Sequence, residues 1–305
     1  MTREGQRSAA VAAVGVALVA SLAAVPAEAQ VRWDRGQNVA PVYEGWTQND
    51  DGSYTLYFGY LNRNYRETPH IPLGEANFFE PGPPDRGQPT HFYPRRQQFV
   101  FTVEVPAEFG DGERDLVWTL TPAGRTDKAY GSIWLSWELD GGVLRANRGM
   151  GLQGAPADNQ RPDISLPGGT ELEVTLPDTL TLTAVVSDDG IPGPRPPARA
   201  PSDARAAAAA RLRASLPSPN NQAVVSARVA GETGLALTWT QYRGSGAATF
   251  DPQAIPVEGG RGGEAVTTVR FDEPGTYVLR GYADDSIQTT PVDVTVTVHP
   301  AATSP

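Results

Sequence analysis

Apolar residues recur at every second position through most of this chain, and that period leaves little choice of secondary structure. In Tyr54–Leu61 one face carries Tyr54, Leu56, Phe58 and Tyr60. Phe99, Phe101, Val103 and Val105 repeat the pattern, as do Leu116, Trp118 and Leu120, and then Ile133, Leu135, Trp137 and Leu139. Successive side chains of a strand point to opposite faces, so such alternation marks strands with one buried face. Turn-forming runs punctuate them: Asn49-Asp50-Asp51-Gly52, Gly110-Asp111-Gly112 and Asp140-Gly141-Gly142. No helical period competes. Residues 30–155 are expected to form a first β-sandwich.

Residues 62–96 interrupt it. Seven prolines (69, 72, 81, 83, 84, 89 and 94) argue against any regular strand or helix there. Structureless connections of this length are generally functional or disordered. Tyr65, Phe78, Phe79, Phe92 and Tyr93 are too many rings for a disordered linker, so an ordered loop, packed by its own aromatics, is expected.

After a Gly/Pro/Asn-containing linker (156–169), alternation resumes over 170–299. Short strands are expected at Glu171–Leu176, Thr179–Ser187, Leu235–Tyr242, Ala247–Phe250, Ala265–Phe271, Thr276–Ala283 and Val292–Val298. Seven short strands with a central Trp239 suit an immunoglobulin-like sandwich. An insertion at 191–233, rich in Pro, Arg and Ala, breaks the spacing. Ser202 as N-cap and the Ala208–Leu212 run predict a short exposed helix within it. Residues 300–305 read as a tail. The fold class is thus all-β, two sandwiches in tandem.

The first 29 residues read as an export signal. Arg3 and Arg7 precede an Ala/Val/Leu run from Ala9 to Val25. Pro26 ends it, and Ala27-Glu28-Ala29 supplies the small residues that signal peptidase needs. Cleavage is expected between Ala29 and Gln30. About 17 apolar residues are at the short end for a membrane span, so no stable membrane insertion is expected after cleavage. The site is then the periplasm or the extracellular space. With 35 acidic against 25 basic residues the chain carries a net charge of -10, which disfavours nucleic acid as a partner. The absence of Cys excludes disulfide scaffolds, thiolate metal sites and cysteine nucleophiles.

The second domain resembles PKD-like and other immunoglobulin-like modules of exported bacterial proteins. The resemblance rests on Leu180-Thr-Leu-Thr-Ala-Val-Val-Ser-Asp-Asp-Gly190, Leu237-Thr-Trp-Thr-Gln-Tyr242, Glu273-Pro-Gly-Thr-Tyr-Val-Leu-Arg280 and Val294-Thr-Val-Thr-Val298. It covers about 166–299 apart from the insertion, and it implies a non-catalytic spacer or binding unit. Its motifs describe a fold, not an activity. In such a module Tyr277 packs its ring inside and bonds backbone near the corner with its hydroxyl. The first domain, through Pro41-Val-Tyr-Glu-Gly-Trp46, Tyr60-Leu-Asn-Arg-Asn64 and Thr90-His-Phe-Tyr-Pro-Arg-Arg96, is similar to domains of uncharacterised exported bacterial proteins. That similarity implies no activity.

Two groups of residues suggest sites. In the long loop, Tyr65, His70, Phe78, Phe79, His91, Phe92, Tyr93, Arg95 and Arg96 combine flat rings with guanidinium forks, which suits a sugar, a peptide or a carboxylate. The plainer reading is that most of these rings fill the core. Asp188-Asp189 and Asp284-Asp285 fall after the second and sixth strands, at one end of an immunoglobulin-like sandwich. Four converging carboxylates would suit calcium; as ordinary turn residues they would bond local backbone. No catalytic motif occurs: there is no Gly-x-Ser-x-Gly, and Gly259-Gly260-Arg261-Gly262-Gly263 has no following Lys. The expectation is an exported non-catalytic binding or assembly protein, with an envelope protein or a carbohydrate as ligand. A metal-dependent hydrolase built on His70, His91, Glu75 and Glu80 is the alternative, and a purely structural spacer a third.

Overall fold

A computed structural model describes residues 33–111, 114–140, 158–191, 234–285 and 288–301. The expected signal segment with its Ala29/Gln30 junction, the helix of the insertion and most of the tail lie outside the described residues. Among the described residues, all the regular structure apart from three short 3₁₀ turns is β.

The first sandwich packs two three-stranded sheets. One has the order β1 (Val39–Gln48), β2 (Tyr54–Asn62), β4 (Arg95–Val105); the other has the order β3 (Asn77–Glu80), β5 (Leu116–Leu120), β6 (Asp127–Gly131). Leu56, Phe58, Phe101 and Val103 point inward as the alternation requires, and meet Phe79, Leu116 and Trp118 of the facing sheet. Phe101 and Trp118 meet edge to face at 5.0 Å, and Phe79 stacks on Trp118 at 5.8 Å. Large rings let a small, disulfide-free domain bury enough apolar surface.

Two expectations about where strands lie fail here for local reasons. The long loop contains a strand after all: Asn77–Glu80 lies between prolines, is itself proline-free, and pairs with β5. Ile133–Leu139 is not a strand. Tyr43 Oη donates to the Ser132 carbonyl (2.6 Å) and Trp46 Nε1 to that of Trp134 (2.9 Å), while Trp137 N bonds back to Trp134 O and closes a 3₁₀ turn over Leu135–Trp137. Side-chain donors of β1 thus replace a ladder, and Leu135 is left 81% exposed.

A bulge divides β2 and β4 between Phe58 and Tyr60, and Phe99 there takes φ +50°. Phe99 therefore leaves the core face of Phe101 and meets the edge of Tyr57 at 5.9 Å instead. The bulge also carries an ion pair. Arg96 Nη2 binds both Glu44 oxygens at 2.6 and 2.7 Å, and its Nη1 donates to the Gln97 carbonyl. Burial pushes the Glu44 carboxyl above its ordinary value, and the Arg96 guanidinium partly offsets that. Gly59 makes room: an added Cβ would land on a Glu44 oxygen and the Gln97 carbonyl.

The second sandwich packs a five-stranded sheet on a four-stranded one. The first has the order β12 (Ala254–Pro256), β10 (Ala236–Arg243), β14 (Gly275–Asp284), β15 (Thr289–His299), β8 (Glu171–Thr175). The second has the order β11 (Ala248–Asp251), β13 (Gly262–Phe271), β9 (Leu180–Ser187), β7 (Asp163–Ser165). β15 and β8 run parallel; the other pairs are antiparallel. Trp239 and Tyr277 are fully buried between the sheets. Tyr277 Oη donates to Glu273 O at 2.8 Å, the corner bond the resemblance implies.

Arg96→Ala should strip the compensation from a nearly buried carboxylate, and breaking such a pair typically costs about 3–5 kcal/mol. Denaturant melts should show this as a lower midpoint with unchanged slope. Gly59→Ala should destabilise in the same direction, and a neutral result for both would contradict the role given to the bulge.

Candidate functional site: the joint between the sandwiches

The long loop is directed at the second sandwich. Its end, from Asp85 to Tyr93, lies along the last residues of β10. A register shift between Gln241 and Arg243 lifts Tyr242 out of the β10–β14 ladder. Its ring enters the core of the first sandwich, where Tyr242 is 5% exposed. Its hydroxyl donates to Gly87 O at 2.6 Å, and its own carbonyl accepts from the amides of Thr90 and His91 at 3.1 and 3.3 Å. Arg280 of β14 lies over the ring at 3.6 Å, gripped by Asp293 at 2.6 and 2.7 Å, and donates to Val100 O in the bulged part of β4.

Neighbouring residues extend the seam. Arg243 forks onto Asp85 at 2.7 and 3.0 Å and donates to Gln88 O. The hydrogen bonds from Arg243 to Asp85 hold the Asp85 carboxyl below its ordinary value. Gly244 N donates to Thr90 Oγ1, and Gln241 N to the Tyr93 hydroxyl. Gly244 has φ +131° and lies against the Tyr277 ring, so a larger residue would meet both strain and a clash. The seam is made from Gln241-Tyr242-Arg243-Gly244, a run whose sequence shows only a polar strand end.

The aromatic and basic residues singled out in the loop are distributed by this arrangement. Phe79 and Phe92 are 1% and 0% exposed, inside the first core. Phe78 lies on the opposite face of β3 and is half-buried. Arg96 is held by Glu44, and Arg95 covers the Tyr65 ring at 4.0 Å and donates to Arg63 O. His91 meets Tyr93 ring to ring at 4.9 Å. Burial, with the charge of His70 a smaller contribution, holds the His91 imidazole down at about 4. Glu80 pairs with Lys128 instead of joining the histidines, and Glu75 is exposed. A cavity of about 40 Å³ opens here, lined by Tyr60, His91, Tyr93, Gln97, Gln241 and Tyr282 among others. Small-molecule sites usually offer several hundred Å³, so this one has room for water.

At the pole of the second sandwich the four aspartates accept hydrogen bonds, some from the turn they sit in and some from residues 159 and 160. Asp188 Oδ2 accepts from Gly190 N, Asp189 from the amides of Gln160 and Ile191, Asp284 from the Thr289 hydroxyl, and Asp285 from Asn159 Nδ2 and Gln288 N. Burial raises the Asp188 carboxyl, and the charges of Asp285 and Asp189 raise it further against the Gly190 bond. Three of the four are thus electrostatic neighbours. Among the described residues no three His, Asp or Glu side chains gather closely enough to hold a metal ion.

The surface that the alternation concealed is on the first sandwich. Trp134, Leu135 and Trp137 are 67%, 81% and 46% exposed, and Tyr130 at the end of β6 is 56% exposed. Leu135 and Trp137 fit a strand period with Ile133 and Leu139, so pattern alone does not tell them from core residues, and Trp134 falls on the other face.

No family model matches the chain, and no curated protein matches it. Solved structures with distant likeness include domains 4 and 5 of the S-layer protein SbsC (10% identity, TM-score 0.25, covering 61% of this chain and 65% of that one, less than two thirds of its length). The PKD domain of human KIAA0319 is another (18% identity, TM-score 0.23, 51% of this chain and 97% of that one), as are fibronectin(III)-like modules of Clostridium thermocellum CbhA (12% identity, TM-score 0.20, 87% and 95%). The all-β sandwich assignment stands on the sheets themselves.

Tyr242→Ala should empty a core position of the other sandwich, at a cost of about 3–5 kcal/mol. Calorimetry should then resolve two transitions where the parent shows one. Acid gives a separate check. An imidazole that titrates at about 4 when folded and near 6.5 when unfolded leaves the native state with fewer protons in between. The stability it confers is whole above about pH 6.5 and is lost as pH falls toward 4. Urea midpoints between pH 7 and 4.5 should fall more steeply for the parent than for His91→Gln; parallel curves would refute this.

Proposed function

We propose that this chain is an exported, non-catalytic binding or assembly protein of the cell envelope or extracellular space, made of two sandwiches locked into one stiff body. The observation that carries the reading is the exposed Trp134-Leu135-Ser136-Trp137 turn. Exposed apolar clusters of this kind mark interaction sites, and indole rings suit the faces of sugars as well as protein partners. The backbone beneath is held to β1, since Leu139 N donates to Trp46 O at 2.8 Å in addition to the bonds from Tyr43 and Trp46. A rigid base keeps the rings presented at little entropic cost on binding. The seam supports the assembly side of the reading, because a stiff pair transmits force and spacing where a hinged pair does not. The ligand class that fits is an envelope protein or a carbohydrate.

Affinity capture from envelope extract tests this. The parent should retain a partner, and Trp134→Ala/Leu135→Ser should lose it while melting at an unchanged temperature. Equal retention by both would remove the turn as the contact surface, and turnover of an envelope substrate would overturn the non-catalytic reading.

A further inference from the structure

His70 and His91 face one another across an isolated antiparallel bridge. Phe92 N donates to Pro69 O, and Ile71 N to Thr90 O. The two histidines therefore form the non-hydrogen-bonded kind of pair, in which Cα atoms approach to about 4.5 Å and the side chains are at their closest. Both side chains leave the same face of the two-stranded ribbon. Among the described residues His91 makes no side-chain hydrogen bond, only the ring contact with Tyr93.

We propose that His70 and His91 form a two-imidazole site for a zinc-class divalent cation, placed to fasten the two legs of the long loop at the joint. Imidazole suits Zn²⁺ and its neighbours Ni²⁺ and Cu²⁺ and discriminates against Ca²⁺ and Mg²⁺. No third His, Asp or Glu completes the set among the described residues, so solvent or a donor from a bound partner fills the remaining positions. A site with two protein ligands is a clasp and not a closed structural centre, which takes four. The leg it fastens is the one whose Thr90 and His91 amides bond the Tyr242 carbonyl. Binding at the clasp thus adds to the stability of the seam, by the general rule that a ligand bound only to the native state raises its stability.

Zinc alone is the probe, titrated into the untagged full chain at pH 7 by calorimetry, with thermal melts in zinc and in chelator. One ion should bind per chain and raise the melting temperature. His70→Ala changes an exposed side chain and should fold normally, yet lose on the order of 10-fold or more in affinity together with the thermal shift. His299→Ala, at the other histidine, should keep both. Copper bound to the parent should show two nitrogen ligands in its electron paramagnetic resonance spectrum. Undiminished zinc binding by His70→Ala, loss of binding in His299→Ala, or no binding by the parent would each overturn the site. These readouts do not involve the Trp134 surface, so their failure leaves the proposed function standing.

Discussion

One side chain crosses between two hydrophobic cores, and the rest of the molecule is arranged around that crossing. Tyr242 belongs by chain position to β10 but is buried in the apolar cluster of the first sandwich. Burying an aromatic ring of that size is worth a few kcal/mol, more than any exposed ion pair could contribute. The polar contacts beside it give direction to that apolar attraction. The Arg243–Asp85 fork, the Arg280 stack and the amides on the Tyr242 carbonyl fix the angle at which the ring enters. Without them the same area could be buried in several orientations.

The loop that receives Tyr242 is built for stiffness in a chain without disulfides. Buried amides take the place of cross-links. Asn77 Nδ2 donates to Ile71 O and Pro89 O while its Oδ1 accepts from Trp118 Nε1, so one side chain joins both legs to the core. Asn62 does the same for the carbonyls of Glu67 and Phe92. Each of these carbonyls would otherwise be a buried acceptor without a donor, an expensive condition. Prolines restrict what remains, and a segment that reads as irregular is therefore ordered along its length.

Much of this was legible from residue order. Period two located most of the long strands, including the one that carries Trp239, and the resemblance located Tyr277. It misled at Phe99 and at Leu135–Trp137, where a bulge or side-chain donors from β1 took over the backbone bonding that alternation presumes. The joint was hidden for a different reason. Tyr242 and Gln88 gain their meaning from partners about 155 residues apart, and a strand end such as Gln-Tyr-Arg-Gly looks the same whether it faces solvent or another domain. Likewise Arg96, which resembles a ligand fork, is satisfied by Glu44, 52 positions earlier. Pairings at that range depend on tertiary register, which local composition does not encode.

The register slip in β10 also bears on how such a protein can be inherited. β-Sandwich modules are commonly portable, because each hides its apolar surface within itself and can be cut out and joined elsewhere. Here the second module carries a ring that only its neighbour can cover, and the neighbour has a vacancy that only this ring fills. Gene rearrangement that separated them would yield one half with a greasy pole and another with a hole in its interior. The slip in one strand thus ties each half's covering to the presence of the other.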